Sequence, residues 1–227
     1  MQIGFNLNSL IQKKEVKLII NEIFYSIQGE SSRIGLPTIF IRLTGCPLRC
    51  KYCDTEYAFT EGEKMYINTI LNKIKQYPTK YVTVTGGEPL AQKECVLLLK
   101  KLCDRGYDVS LETSGAVTVS NIDKRVKKII DVKTPGSNEE KKNNFENFKY
   151  LTKNDEIKFV ICDRTDYIWA KKKILEKEIN DICDIIFSPV YESLKSSDLA
   201  NWILEDKLNV RMQLQLHKHL WGEQRGK

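Results

Sequence analysis

The sequence predicts an α/β chain built on a mostly parallel sheet with helices outside it. Apolar runs of strand length alternate with longer segments of helical period along most of the chain. Polar clusters follow the strand candidates: TGGEP after the second, ETSG after the third, DVKTPG after the fourth and SPVYE after the sixth. Sheets of this class gather their chemistry at the carboxyl ends of strands, which is where these clusters fall. An open doubly wound sheet and a full or partial barrel both satisfy the pattern.

In chain order, the strand candidates are 38–43, 81–85, 108–112, 128–132, 157–161, 184–187 and 210–216. The first helix candidate is 65–76, where Ile67, Ile70, Leu71 and Ile74 share one face. The others are 90–105, 166–179 and 199–208. Residues 1–16 precede the pattern and read as an extension. Residues 17–227 read as one domain, with no repeat, low-complexity tract or Pro/Gly-rich linker to divide them.

The chain carries 36 Lys and Arg against 30 Asp and Glu, a net charge of +6. The lysines are scattered among acids, as in KKNNFENFKY, so they predict a solvated surface and no nucleic-acid face, while leaving room for an anionic small substrate. No basic leader runs into an apolar segment, and no apolar stretch approaches the ~20 residues that span a bilayer. The expectation is a soluble, cytoplasmic protein with no membrane partner. Seven cysteines, an odd number in a chain long enough to form its own core, predict reduced thiols or metal ligands.

Three of the seven sit in RLTGCPLRCKYCDTEYAF, at Cys46, Cys50 and Cys53, just past a strand. Three thiolates at C-x3-C-x2-C spacing hold three corners of a cubane cluster and leave the fourth iron open to a ligand. A structural zinc would need a fourth ligand, and neither His217 nor His219 is near in sequence. Cys95, Cys103, Cys162 and Cys183 lie in apolar segments and read as small buried hydrophobes. Arg42 lies inside the apolar run IFIRLTG, where a bidentate partner or an internal salt bridge must offset its charge.

The cysteine spacing, the aromatic Tyr52 before the last cysteine, and GGEP one β/α unit later resemble the radical S-adenosylmethionine superfamily. The segments INEIFYSIQGESSRIGLPTIFIRLTGCPLRCKYCDT, ETSGA, DVKTPGS, KFVICDRTDYIWA, FSPVYE and WILEDKLNVRMQLQLHKHLWG are similar to the 7-carboxy-7-deazaguanine synthase family over about residues 20–222. The resemblance implies a reduced, partial TIM-type β/α barrel, usually homodimeric. It implies an enzyme of queuosine and deazapurine biosynthesis, a carbon–nitrogen lyase. Such an enzyme converts a pterin, 6-carboxy-5,6,7,8-tetrahydropterin, to 7-carboxy-7-deazaguanine by radical ring contraction with loss of ammonia. The implied cofactors are a 4Fe-4S cluster, S-adenosylmethionine and Mg2+, and the implied electron donor is a protein such as flavodoxin or ferredoxin.

By the same resemblance, Cys46, Cys50 and Cys53 hold the cluster and Thr55 ligates magnesium, a hard ion suited to oxygen ligands. Tyr52, Cys53, Asp54, Gly87, Asp131, Val132, Lys133, Ser188, Pro189, Val190 and Tyr191 bind S-adenosylmethionine. Ile27, Gln28, Gly29, Glu30, Arg42, Thr85 and His217 bind substrate, with His217 expected at the end of the last strand. The family can also present a terminal carboxylate to the substrate; the tail here reads EQRGK, ending at Lys227. Some relatives have a longer insertion between the first two cysteines, whereas this chain has the superfamily's short spacing. Two other classes fit parts of the sequence: an activase of glycyl-radical enzymes, which would leave SIQGE and QLHKH without a task, and a noncatalytic iron–sulfur or zinc module, distinguished by colour and oxygen sensitivity.

Overall fold

Val, Ile and Phe runs form strands here because the β-branched and aromatic side chains pack on a pleated surface covered on both faces. The computed structural model describes residues 15–227. They build a nine-stranded sheet: β1 (Lys17–Ile27), β2 (Pro37–Leu43), β3 (Glu63–Tyr66), β4 (Tyr81–Gly86), β5 (Asp108–Thr113), β6 (Lys127–Val132), β7 (Glu156–Ile161), β8 (Asp184–Pro189) and β9 (Arg211–Met212). The order is β3-β1-β2-β4-β5-β6-β7-β8-β9. The first two pairings are antiparallel and all those from β2 to β9 are parallel. Among the described residues β3 and β9 are the two edges of the sheet and do not pair with each other, so the sheet is open, as a partial barrel must be.

Helices α1 (Ile67–Lys73), α2 (Cys95–Asp104), α3 (Arg164–Glu176), α4 (Ile179–Ile182), α5 (Ser196–Glu205) and α6 (Leu216–Trp221) follow the strands. α3 starts at Asp163, whose carboxylate accepts the Asp166 amide, an N-cap of the usual kind. The alternation fails twice. The β5–β6 and β6–β7 crossovers carry no α-helix, and 3-10 turns at Pro135–Ser137, Glu140–Lys142 and Phe145–Tyr150 occupy the second. Asn147, fully buried, does the work of a helix there by donating to the Gly115 and Val117 carbonyls and accepting from the Val119 amide.

The core lies between the sheet and the helices, with Ile39, Ile41, Val82, Val84, Leu98, Leu99, Leu111, Phe159 and Phe187 fully enclosed. Each such side chain contributes about 1.5–3 kcal/mol relative to exposure. Cys95, Cys103 and Cys183 are buried in it as expected, but Cys162 is only half-buried, just past β7.

The loop 28–36 between β1 and β2 determines how the open sheet is bridged. Gln28 donates to Thr83 of β4 at 3.1 Å, Arg33 pairs with Asp108 of β5, and Lys127 of β6 donates to Ser32 at 2.7 Å. Glu156 of β7 accepts the Ser32 amide at 3.0 Å, and Gln213, just after β9, exchanges two hydrogen bonds with the Ser31 backbone at 2.6 and 2.8 Å. One loop thus ties together strands that do not close on each other.

Three expectations change. β1 and β3 were not among the predicted strands, and the strand expected over 210–216 shrinks to Arg211–Met212. Gln213 turns its amide to Ser31, and Leu216 opens α6, so His217 stands in a helix and not at a strand end. The predicted extension lies outside the described residues as far as residue 14. Among the described residues no helix is long and apolar enough to cross a membrane.

Candidate functional site

A cavity of about 590 Å³ opens where the parallel strands end. The cluster loop after β2 forms one wall and brings Cys46, Cys50 and Cys53 onto it. Backbone contacts hold this loop: Gly45 N–H to Ala58 at 2.8 Å, Glu88 N–H to Gly45 at 2.8 Å and Lys51 N–H to Ser137 at 3.1 Å. Arg49 stacks over the Phe59 ring at 4.2 Å. Burial raises all three thiols, Cys50 to about 11, and Lys133 is a cation that opposes the rise at each. Such thiols give up their protons to a metal, and an adjacent ammonium offsets the charge left behind. Among the described residues no group of three His, Cys, Asp or Glu side chains converges on one ion, as a single-zinc site requires, whereas cubane ligands each serve a separate iron.

The GGEP turn packs directly against this loop. A Cβ on Gly87 would meet the Gly45 oxygen at 2.4 Å and Cys46 Cβ at 2.7 Å, so glycine is required for the turn to sit there. Thr85, Gly86 and Gly87 line the cavity. Glu88 does not: it is fully buried and accepts from the Leu90 and Ser114 amides and from the Thr113 and Ser114 hydroxyls, joining the ends of β4 and β5.

Opposite, Asp131 and Lys133 reach the cavity with Nζ–Oδ2 at 3.1 Å, while Val132 between them points into the core, as strand alternation demands. Val190 and Tyr191 reach the wall, but Ser188 and Pro189 are buried within β8 below it. Val132, Ser188 and Pro189 are therefore not brought to the wall. Among the described residues, Tyr52 Oη and Asp131 Oδ1 are buried with no hydrogen-bond partner. Both residues line the cavity, so each leaves an unsatisfied polar atom buried beside its wall.

At the other end, Ile27, Gln28, Gly29, Glu30, Arg42 and His217 come together on the same cavity. Arg42 gives its Nε to Glu22 at 2.7 Å, and Tyr57 donates to the same oxygen at 3.0 Å. The internal salt bridge is thus the partner present, and among the described residues the two terminal nitrogens of Arg42 have none. Gln28 lines the cavity and also has internal partners. Its amide donates to Thr83 and to Glu112 at 3.2 Å and is used inside the protein. Gly29 has no room for a side chain, because a Cβ would stand 2.1 Å from His217 Nδ1.

Glu30 accepts from Lys158 at 2.5 Å and Gln215 at 2.8 Å. Burial opposes its charge, yet Lys158 holds its carboxyl below the ordinary value. Burial and the charge of Glu30 push the neighbouring Glu112 the other way. Burial lowers His217 despite Glu30 and Asp54, which keeps the imidazole neutral at pH 7. Thr55 donates its hydroxyl to Asp54 at 2.8 Å, which leaves its oxygen lone pairs for a hard cation. Burial works against the Asp54 charge, but Lys218 at 3.2 Å and Thr55 bring it to about 2.

Glu112, Lys158, Gln215 and Lys218 line the cavity and were not assigned from sequence. Lys158 had the same signal as Arg42, a charge inside the apolar run IKFVI. Lys227 also reaches the wall.

The family profile described as Radical SAM superfamily matches residues 40–138. The chain is 47% identical over 212 residues to the 7-carboxy-7-deazaguanine synthase of Chlorobaculum tepidum, covering 92% of this chain and 96% of that protein. It is 44% identical over 217 residues to that of Koribacter versatilis, covering 89% and 96%. The crystal structure of QueE from Escherichia coli has the same fold, with a TM-score of 0.73 at 23% identity over 88% of this chain and 95% of that one. At this identity and coverage, and with the cysteine loop and GGEP turn in contact at the strand ends, the chain belongs to the 7-carboxy-7-deazaguanine synthase family of the radical SAM superfamily.

Proposed function

We propose that this chain is a radical S-adenosylmethionine lyase that converts 6-carboxy-5,6,7,8-tetrahydropterin to 7-carboxy-7-deazaguanine with loss of ammonia. The observation that carries the reading is convergence: three cysteine thiols, the strand-end residues and the SIQGE loop line one cavity. When bound, the cluster and S-adenosylmethionine supply one-electron chemistry that takes a hydrogen atom from the substrate.

The protein's own part is to hold and orient. Cys46, Cys50 and Cys53 take the cluster, and Asp131 and Tyr52 offer unpartnered polar atoms to the cofactor. Arg42, braced by Glu22, receives the substrate carboxylate, and Glu30 accepts hydrogen bonds from the pterin edge. Neutral His217 closes the same end on Gly29. Thr55, with its proton directed to Asp54, offers oxygen to Mg2+ beside the substrate. A protein electron donor such as flavodoxin or ferredoxin, a homodimeric assembly and a cytoplasmic setting complete the proposal.

The test is anaerobic turnover of the reconstituted protein with adenosylmethionine, reductant, magnesium and the carboxypterin, followed by mass spectrometry. Product that drops without magnesium supports the full reading. 5'-deoxyadenosine without any pterin-derived product overturns the substrate assignment.

A further inference from the structure

Lys158 stands in the middle of β7 and points into the cavity with its side chain 13% exposed. Its Nζ lies 2.5 Å from Glu30 Oε2 and 3.6 Å from Asp131 Oδ2. Strand register fixes the second neighbour, since Asp131 of β6 sits directly beside Lys158. A buried ammonium needs acids around it. Here the two acids belong to different halves of the cavity: Glu30 to the end proposed for the pterin, Asp131 to the end proposed for the cofactor.

The two contacts are unequal. Glu30 has the hydrogen bond, while Asp131 is beyond hydrogen-bond range of Lys158 and leans on Lys133 instead, with its Oδ1 unpartnered among the described residues. A ligand that presents N–H donors to Glu30 weakens that carboxylate's hold on Lys158. Of the acids around the ammonium, Asp131 is then the one left within 4 Å, with Glu112 farther off, and closing on Oδ2 fixes the plane of that carboxylate with Oδ1 toward the cavity. We propose that Lys158 is a positioning residue that couples the two halves of the site, so that pterin bound at Glu30 tightens cofactor binding at Asp131. The proposal rests on the function given above.

The electrostatics support positioning over proton transfer. Burial disfavours the charge, but Glu30, Asp131 and Glu112 together hold the ammonium well above the ordinary lysine range, so it stays a cation throughout the working pH. Coupling of this kind is reciprocal: the cofactor must tighten the pterin by the same factor.

The test uses the cluster-loaded full chain, anaerobically and without reductant, so that nothing turns over. Calorimetry gives the affinity for S-adenosylmethionine with and without 6-carboxytetrahydropterin. The wild type is expected to bind the cofactor about fivefold tighter or more with pterin present. Lys158→Met brings that ratio to about one, and Lys158→Arg keeps part of it. A wild type that binds both ligands independently, or a Lys158→Met protein that keeps the full ratio, overturns the coupling and leaves the proposed function standing. A wild type that binds cofactor but no pterin overturns both. Should Lys158→Met not fold, Asp131→Asn replaces it: this variant keeps the Lys158–Glu30 pair and must lose the ratio, and a retained ratio overturns the coupling.

Discussion

Two loops flank β2. The one before it, 28–36, commits most of its polar groups to the protein: Gln28, Ser32 and Arg33 engage strands β4 to β7, and the Ser31 backbone holds Gln213 past β9. The one after it, the cysteine loop, is anchored through its backbone and leaves its thiols uncommitted. Apart from Glu30, the first loop shapes the cavity by being used up inside the protein. The second serves it by holding groups in reserve. The difference teaches that a residue's presence on the wall does not say whether it is free to meet a ligand, as Gln28 and Cys50 show side by side.

The largest contrast should come from Cys50→Ala. With no internal partner lost, the unfolding free energy of the cluster-free protein should stay within about 1 kcal/mol of wild type, while the iron absorbance and all product formation disappear. A strongly destabilised Cys50→Ala protein would break the comparison. Gln213→Ala is the counterpart on the other loop. It strands the Ser31 amide and carbonyl in a buried place, at a cost of about 2–4 kcal/mol measured by denaturant unfolding.

Gly29→Ala should be next, at about 1–3 kcal/mol, because the new methyl collides with His217 and lifts α6 from the loop. Pterin affinity should fall in the same variant while iron content is unchanged, which separates the two loops in one protein. The smallest effect is one of pH. The folded state lowers the His217 value from 6.5 through burial, so the unfolded chain takes up the proton first. The stability present above pH 6.5 is lost as the pH falls through the lower folded value. His217→Asn should flatten that part of the midpoint-against-pH curve, and an unchanged curve would place the titration elsewhere.

The parallel part of the sheet was legible because β2 and β4 to β8 each carry β-branched and other apolar residues within a short segment of strand length. β1 was hidden by Asn21 and Glu22, which interrupt its apolar pattern where the strand bulges between Ile20 and Glu22. β3, Glu63–Tyr66, is a short polar edge with little burial to read. The cysteines were readable because metal spacing is local. The roles of Glu30, Gln28 and Lys158 were not, because their partners lie up to 185 residues away. The runs DVK and SPVY reach the wall only in part, because strand alternation turns Val132 to the core and burial within β8 keeps Ser188 and Pro189 behind it.

The bridge from Ser31 to Gln213 spans 182 positions of sequence. Contacts of such separation carry the greatest loop-closure entropy and form late in folding. Gly29, Glu30 and His217 meet beside that bridge, across a similar separation in sequence. During synthesis, the cysteine loop and the GGEP turn can be in place long before the pterin end exists, so a nascent chain can be ready for iron while still blind to its substrate.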